Sequence, residues 1–165
     1  MAKTKAEKAE VIQKLEDAFK NSASSVLVHF SGVNVADESA MRRALREAGV
    51  KYFVAKKTLV RRALTSAGHE HEGLPLDGEL AVAYGGGGDS TAAARLVHGW
   101  ADKLKDKLAI VGGIFEGSLK NKADMLEIAT IPPLDTLRAM FAQVVNSPRQ
   151  RFAVVLSEVA KTKTN

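Results

Sequence analysis

Two consecutive prolines, Pro132 and Pro133, divide this 165-residue chain into stretches that read as different architectures. Proline fixes its own φ, lacks an N–H and pushes the preceding residue out of the helical region, so Ile131-Pro132-Pro133 is a stiff break. Beyond it, apolar residues recur in steps of three and four: Leu134, Leu137, Phe141, Val144 and Val145. Asn146-Ser147-Pro148 reads as a second turn signal, after which the spacing resumes with Phe152, Val155, Leu156 and Val159. Each set falls on one face of a helix. That face must be buried on the chain's own domain or on another chain, and the proline break favours another chain. The two halves suggest two docking segments.

Residues 1–131 alternate between helical and strand-like segments. Lys5 to Lys20 reads as a helix with Ile12, Leu15 and Phe19 on one face. Ser25 to Phe30 is nearly all apolar and reads as an internal strand. Asp37 suits the cap of a helix that runs to Ala48 and ends at Gly49. Lys51 to Ala55 is a second strand, and Thr58 to Ala67 a short helix ended by Gly68. A polar loop leads to a third strand, Leu80 to Tyr84. The Gly85–Gly88 run is a loose turn, and Asp89 or Ser90 caps a helix through Lys105. Leu108 to Val111 and Ile114-Phe115 read as strands about Gly112-Gly113, and Lys122 to Thr130 as a closing helix. The expectation is an α/β domain over residues 1–131, with helices packed on a mixed β-sheet. A protruding, kinked C-terminal α-helix over residues 132–165 follows, with motion at the joint.

The sequence has no cysteine, which removes disulfides, iron–sulfur clusters, thiolate zinc sites and cysteine nucleophiles together. No stretch approaches a membrane span, and the charged N-terminus lacks a signal-peptide apolar region. The chain therefore reads as soluble and cytoplasmic, with no membrane partner. No catalytic constellation stands out, and no cofactor or metal is expected. His69-Glu70-His71 lacks a third ligand nearby and reads as a solvated loop. The Gly85–Gly88 run lacks the lysine of a phosphate loop. His29 and His98 read as ordinary packing residues.

Charge is concentrated. The formal net charge is +5 and the pI about 9.5. Between Met41 and Leu64 stand eight basic residues against one acid, Glu47, a net of +7 that leaves −2 for the rest. Such a patch suits a polyanion. Arg42 and Arg46 are four apart on one helix face. Lys56 and Lys57 precede the next helix, where backbone N–H groups add to phosphate binding. Arg61 and Arg62 follow one turn later. Few aromatics are interleaved, so recognition of folded RNA by shape and backbone fits better than stacking of single strands.

Leu45-Arg46-Glu47-Ala48-Gly49-Val50, followed by Val54-Ala55-Lys56-Lys57-Thr58-Leu59-Val60-Arg61-Arg62-Ala63-Leu64, resembles a specific family motif. Gly32-Val33, Ala81-Val82-Ala83-Tyr84, Ala92 to Leu96, Phe115-Glu116-Gly117 and Ile131-Pro132 support it. The family is that of the bacterial large-subunit ribosomal protein number ten, which forms the base of the ribosomal stalk. The family's asparagine is Lys57 here, and its arginine before the first turn glycine is Ser31.

The resemblance implies a non-enzymatic protein whose α/β domain binds large-subunit rRNA beside the neighbouring stalk-base protein, number eleven. It implies that the C-terminal helix carries dimers of the acidic stalk protein, number twelve, which recruit translational GTPases. It also implies repression of the chain's own messenger. On this reading Arg42, Arg46, Lys56, Lys57, Arg61 and Arg62 meet rRNA phosphates, with Thr58 in the central Lys56–Thr58 segment and Gly32 permitting close backbone approach. Leu134, Leu137, Phe141, Val144, Val145, Phe152, Val155, Leu156 and Val159 receive two stalk dimers. Three other readings compete: an RNA-binding or DNA-binding regulator with a helical oligomerisation tail, an α/β enzyme with an oligomerising helix, and a membrane-surface helix.

Overall fold

Runs of apolar residues too short for helices form the centre of a sheet, and amphipathic segments between them form helices on its faces. The structure is a computed structural model that describes residues 5–68, 78–85 and 89–164. In chain order the elements are α1 (Lys5–Asn21), β1 (Ser24–Phe30), α2 (Val35–Glu47), β2 (Val50–Ala55), α3 (Lys57–Ser66), β3 (Glu79–Gly85), α4 (Ala92–Leu104), β4 (Leu108–Phe115), β5 (Ser118–Asn121), α5 (Lys122–Thr130) and α6 (Leu134–Thr164). A single 3-10 turn, Lys105–Lys107, joins α4 to β4. His69-Glu70-His71 and Gly86 to Gly88 lie outside the described residues.

The sheet order is β2-β3-β1-β4-β5. The α/β class is the one expected, but every pairing is antiparallel rather than mixed. The reason lies in the strand order. β1 and β2, joined by α2, run in the same direction, as a crossover requires. β3 lies between them and is antiparallel to both. β3 and β4, joined by α4, are likewise separated by β1. The two crossovers interleave, so no parallel neighbours arise.

Side-chain alternation assigns the helices to faces. On one face Val11, Leu15 and Phe19 of α1 and Leu59, Val60, Ala63 and Leu64 of α3 pack with Leu27, Leu80 and Val82. On the other, Met41 and Leu45 of α2, Ala93 and Val97 of α4 and Met125 of α5 pack with Val26, Val28, Ala81 and Ala83. These side chains are buried, and each large one contributes about 1.5–3 kcal/mol.

Three local expectations change. α2 starts at Val35 with Asn34 at its cap position, and Asp37 lies in its first turn, where a carboxylate suits the positive helix end. Gly112-Gly113 is no break: β4 runs through it, with a register shift opposite Leu27/Val28. A Cβ on Gly113 would lie 2.4 Å from the Ser25 carbonyl oxygen and 3.0 Å from the Met125 methyl, so glycine is what lets α5 and β1 close on the strand. Asn146-Ser147-Pro148 is no turn either, because α6 continues through it.

The chain divides into two compact units, Met1–Ile131 and Pro132–Asn165. The second consists of α6.

Candidate nucleic-acid interface and docking helix

Antiparallel register defines the two ends of the sheet. Phe30 pairs with Glu79 and with Leu108, and Ala55 pairs with Leu80. The turn after β1, the start of α3 and the first residues of β3 and β4 therefore share one end. Of the sequence-predicted residues, this end gathers Gly32, Lys56, Lys57 and Thr58. Gly32 is exposed with φ +61, and nothing lies within 4 Å of where its Cβ would stand. Lys56 is the cap residue of α3, and its side chain makes no capping hydrogen bond. The first turn of α3 contains no acid, so two exposed lysines stand at a positive helix end. That arrangement is unfavourable without an anion.

The remaining basic residues fall elsewhere. Arg42 and Arg46 belong to the α2 face, and Arg61 and Arg62 to the α3 face, so the sheet edge separates them. Arg42, Arg46, Val50, Lys51 and Tyr52 line a hollow of about 190 Å³ near the start of β2. Lys56 stands at the other end of that strand, roughly 17 Å away at about 3.3 Å per residue. Arg61 and Arg62 line a further depression of about 490 Å³ with Ile12, Thr65 and Ser66. The basic residues thus bracket edge strand β2 rather than forming one patch.

Arg42 is already engaged. Its Nε and Nη2 donate to Glu38 Oε1 at 3.0 and 2.6 Å, and its guanidinium lies 5.2 Å from the Tyr52 ring centroid. Burial pushes the Tyr52 hydroxyl up to about 12, with the Glu38 charge adding to the effect and Arg42 opposing it. Glu38 compensates part of the charge that the sequence assigns to this helix.

One basic element at the Gly32 end escaped the sequence reading. The Ser31 N–H donates to the Lys107 carbonyl at 2.9 Å, tying the β1–α2 turn to the 3-10 turn. Lys107 is thereby placed next to the Gly32 turn, Lys105 begins the same 3-10 turn, and both are exposed. Alternate lysines at 103, 105 and 107 were the available signal.

Asp89, considered at sequence level as a helix cap, accepts from the Thr91 N–H at 3.0 Å, from Thr91 Oγ1 at 2.8 Å and from Arg95 Nη2 at 2.7 Å. The Arg95 hydrogen bond is the main cause holding its carboxyl below the usual range. Arg95 Nη1 also donates to the Ile131 carbonyl at 3.4 Å. Among the described residues no group of histidines and acids could hold a metal, and no helix is long and apolar enough to cross a membrane.

In α6 all nine predicted docking residues are exposed, Phe141 at 73% and Phe152 at 66%. Because the helix is continuous, the two sets are in phase: at 3.6 residues per turn they share one stripe about 120° wide, with Pro148 inside it. The sets also repeat. Arg138, Phe141, Ala142, Val144 and Val145 recur eleven residues later as Arg149, Phe152, Ala153, Val155 and Leu156. Eleven residues is about three turns and ~16 Å of rise, so the second set faces nearly the same way. Met140 and Val154, exposed as well, lie off the stripe.

Comparisons with known proteins identify the family of the chain. Residues 3–102 match the family Ribosomal protein L10. The large ribosomal subunit protein uL10 of Lacticaseibacillus casei (strain BL23) is 36% identical over 158 residues, 96% of this chain and 93% of the relative. Its counterpart in Shouchella clausii (strain KSM-K16) is 35% identical over 163 residues, 99% and 97% of the two chains. That in Staphylococcus carnosus (strain TM300) is 35% identical over 156 residues, 94% and 93%. The chain belongs to the ribosomal protein L10 family, structural and non-enzymatic constituents of the large ribosomal subunit.

Proposed function

We propose that this chain is the base of the ribosomal stalk: residues 1–131 hold large-subunit rRNA, and α6 carries dimers of the acidic stalk protein. The observation that carries the reading is the exposed, repeated stripe of α6. Nine large apolar side chains on one helix face are a surface for a partner rather than for water. Each one buried by a partner contributes about 1.5–3 kcal/mol before ordering costs. Two copies of the eleven-residue unit give two docking segments and two dimers. Those dimers recruit translational GTPases, and stalk-base protein number eleven sits beside the same rRNA. The chain works bound to the ribosome in the cytoplasm.

The rRNA surface is the Gly32 and Lys56–Thr58 end of the sheet, flanked by Arg46 on one side and Arg61 and Arg62 on the other. Engagement of roughly five phosphates gives a slope of log K against log salt of about −3 to −5. The same surface would serve to repress the chain's own messenger where that messenger offers a similar fold.

The test is co-purification of the full chain and of a Phe141→Asp, Phe152→Asp variant. The variant should keep the rRNA fragment and lose the acidic dimers. Retention of the dimers, or a flat salt response in rRNA binding, overturns the reading.

A further inference from the structure

Between the Phe30 end of β1 and the start of α3 lies a hollow of about 390 Å³, within the range of small-ligand sites. Phe30 and Val54 give it an apolar wall, and Lys56 and Lys57 stand in its lining. Val54 is 38% exposed although it is a large apolar residue on a strand. The acidic member of the lining is Glu79. Among the described residues its carboxylate has no ion pair, with neither of the two lysines nor any other cation. Its backbone is fixed: the Glu79 carbonyl accepts from His29 Nδ1 at 3.1 Å.

A carboxylate on a phosphate-binding surface weakens that binding unless it accepts hydrogen bonds from the same ligand. RNA offers adjacent N–H donors, matched to both carboxylate oxygens, only on its bases. We propose that this hollow takes one unstacked guanine of the bound RNA. The proposal rests on the reading above that this end of the sheet binds RNA, and it deepens that reading from backbone contact to base recognition.

The chemistry selects guanine. Its N1–H and N2–H lie side by side on the Watson–Crick edge and match the two oxygens of a carboxylate. Adenine and cytosine each present one amino group beside a ring acceptor that repels a carboxylate, and uracil presents one N–H between two carbonyls. The base plane packs against Phe30 and Val54, as splayed-out bases pack on aromatic and apolar side chains. Lys56 and Lys57 hold the phosphates on either side. This proposal adds recognition of one base to the shape-and-backbone recognition expected from the sequence.

The experiment titrates the full chain at low salt with four RNA heptamers, A-A-A-X-A-A-A, with X as G, A, C or U. The G heptamer should bind about ten-fold more tightly than the A heptamer, the size of one good bidentate base contact. Glu79→Ala should abolish that preference without weakening the A heptamer, because it removes a negative charge from a phosphate surface. Lys56→Ala with Lys57→Ala should weaken all four alike. Equal binding of the four heptamers by the unaltered chain, or a G preference that survives Glu79→Ala, overturns the guanine slot and leaves the RNA reading standing. A folded large-subunit rRNA fragment that binds while no heptamer does has the same consequence. Failure of heptamers and fragment alike overturns both.

Discussion

Ser147 Oγ donates a hydrogen bond to the Val144 carbonyl at 2.9 Å, in the place where Pro148 has no N–H to offer. Val144 is four residues before Pro148 and would otherwise lose its intrahelical partner. The serine offsets part of what the proline costs and keeps one apolar stripe in phase across it. Ser147→Ala should therefore lower the stability of α6 by about 0.5 kcal/mol, the low end for a hydrogen bond because the site is exposed. In a Pro148→Ala background the same change should cost nothing, since the alanine restores the missing N–H. Amide exchange of residues 140–155 in the four variants measures the coupling, and additive effects would contradict the replacement.

Phe141 and Phe152 occupy the same position of the eleven-residue unit. If each unit carries one dimer, each phenylalanine controls one dimer. Native mass measurement of the complex should give two dimers on the unaltered chain and one on either Phe141→Ala or Phe152→Ala under dilute conditions. The affinity loss should be about 2 kcal/mol, roughly thirty-fold, as for a buried aromatic anchor. A count of three, or loss of both dimers from a single substitution, contradicts independent units.

The lysines at the start of α3 are expected to weaken the free domain and strengthen the complex. Lys57→Glu places an acid at a positive helix end that has none. It should stabilise the free protein by about 0.3–1 kcal/mol and weaken rRNA binding at the same time. Thermal melts and titrations read the two signs separately. A variant less stable than the parent would show that Lys57 has a structural role instead.

Much of this was legible in the sequence where one local rule sufficed. β1 is a short apolar run and α3 an amphipathic decamer, and both formed where expected. β5 was missed because Leu119 is its only apolar residue, and pairing with Gly112 to Phe115 of β4 makes it a strand. Gly112-Gly113 and Pro148 have the local pattern of breaks, which is what those residues usually mark. Gly113 instead answers a close approach by Ser25 and Met125, and Pro148 is supported by Ser147. Neither partner can be inferred from local pattern. The separation of Arg46 from Arg61 and Arg62 follows from α2 and α3 packing on opposite faces of the sheet, a long-range fact. The pairing of Glu38 with Arg42 is legible at four residues' spacing, and Glu38 lies just before the basic segment that begins at Met41.

Lys105 has φ +49, an uncommon conformation for a side-chain-bearing residue, and the turn it begins lies beside Gly32. Lys105→Gly should relieve about 1 kcal/mol of backbone strain. If the side chain meets rRNA, the same substitution should weaken binding and reduce the salt slope by about 1. A stabilised variant with unchanged salt slope would confine the RNA surface to the β2 side of the Gly32 turn.

Arg95 joins the start of α4, through Asp89 and Thr91, to the Ile131 carbonyl, the last residue of the first unit. The Asp89 carboxyl is held below its ordinary value of 3.8, chiefly by the Arg95 hydrogen bond. A group with a depressed folded pKa contributes stability that is present above the unfolded value and is lost as the pH falls through the folded one. Asp89→Asn keeps a carbonyl that can still accept from Thr91 but removes the charge that faces Arg95. It should therefore lower the melting temperature at pH 7, and the difference from the parent should shrink as the pH falls below 3.8. Melts between pH 7 and pH 2 supply the measurement. A deficit that stays constant down to pH 2 would mean that the ionised pair with Arg95 contributes nothing to it.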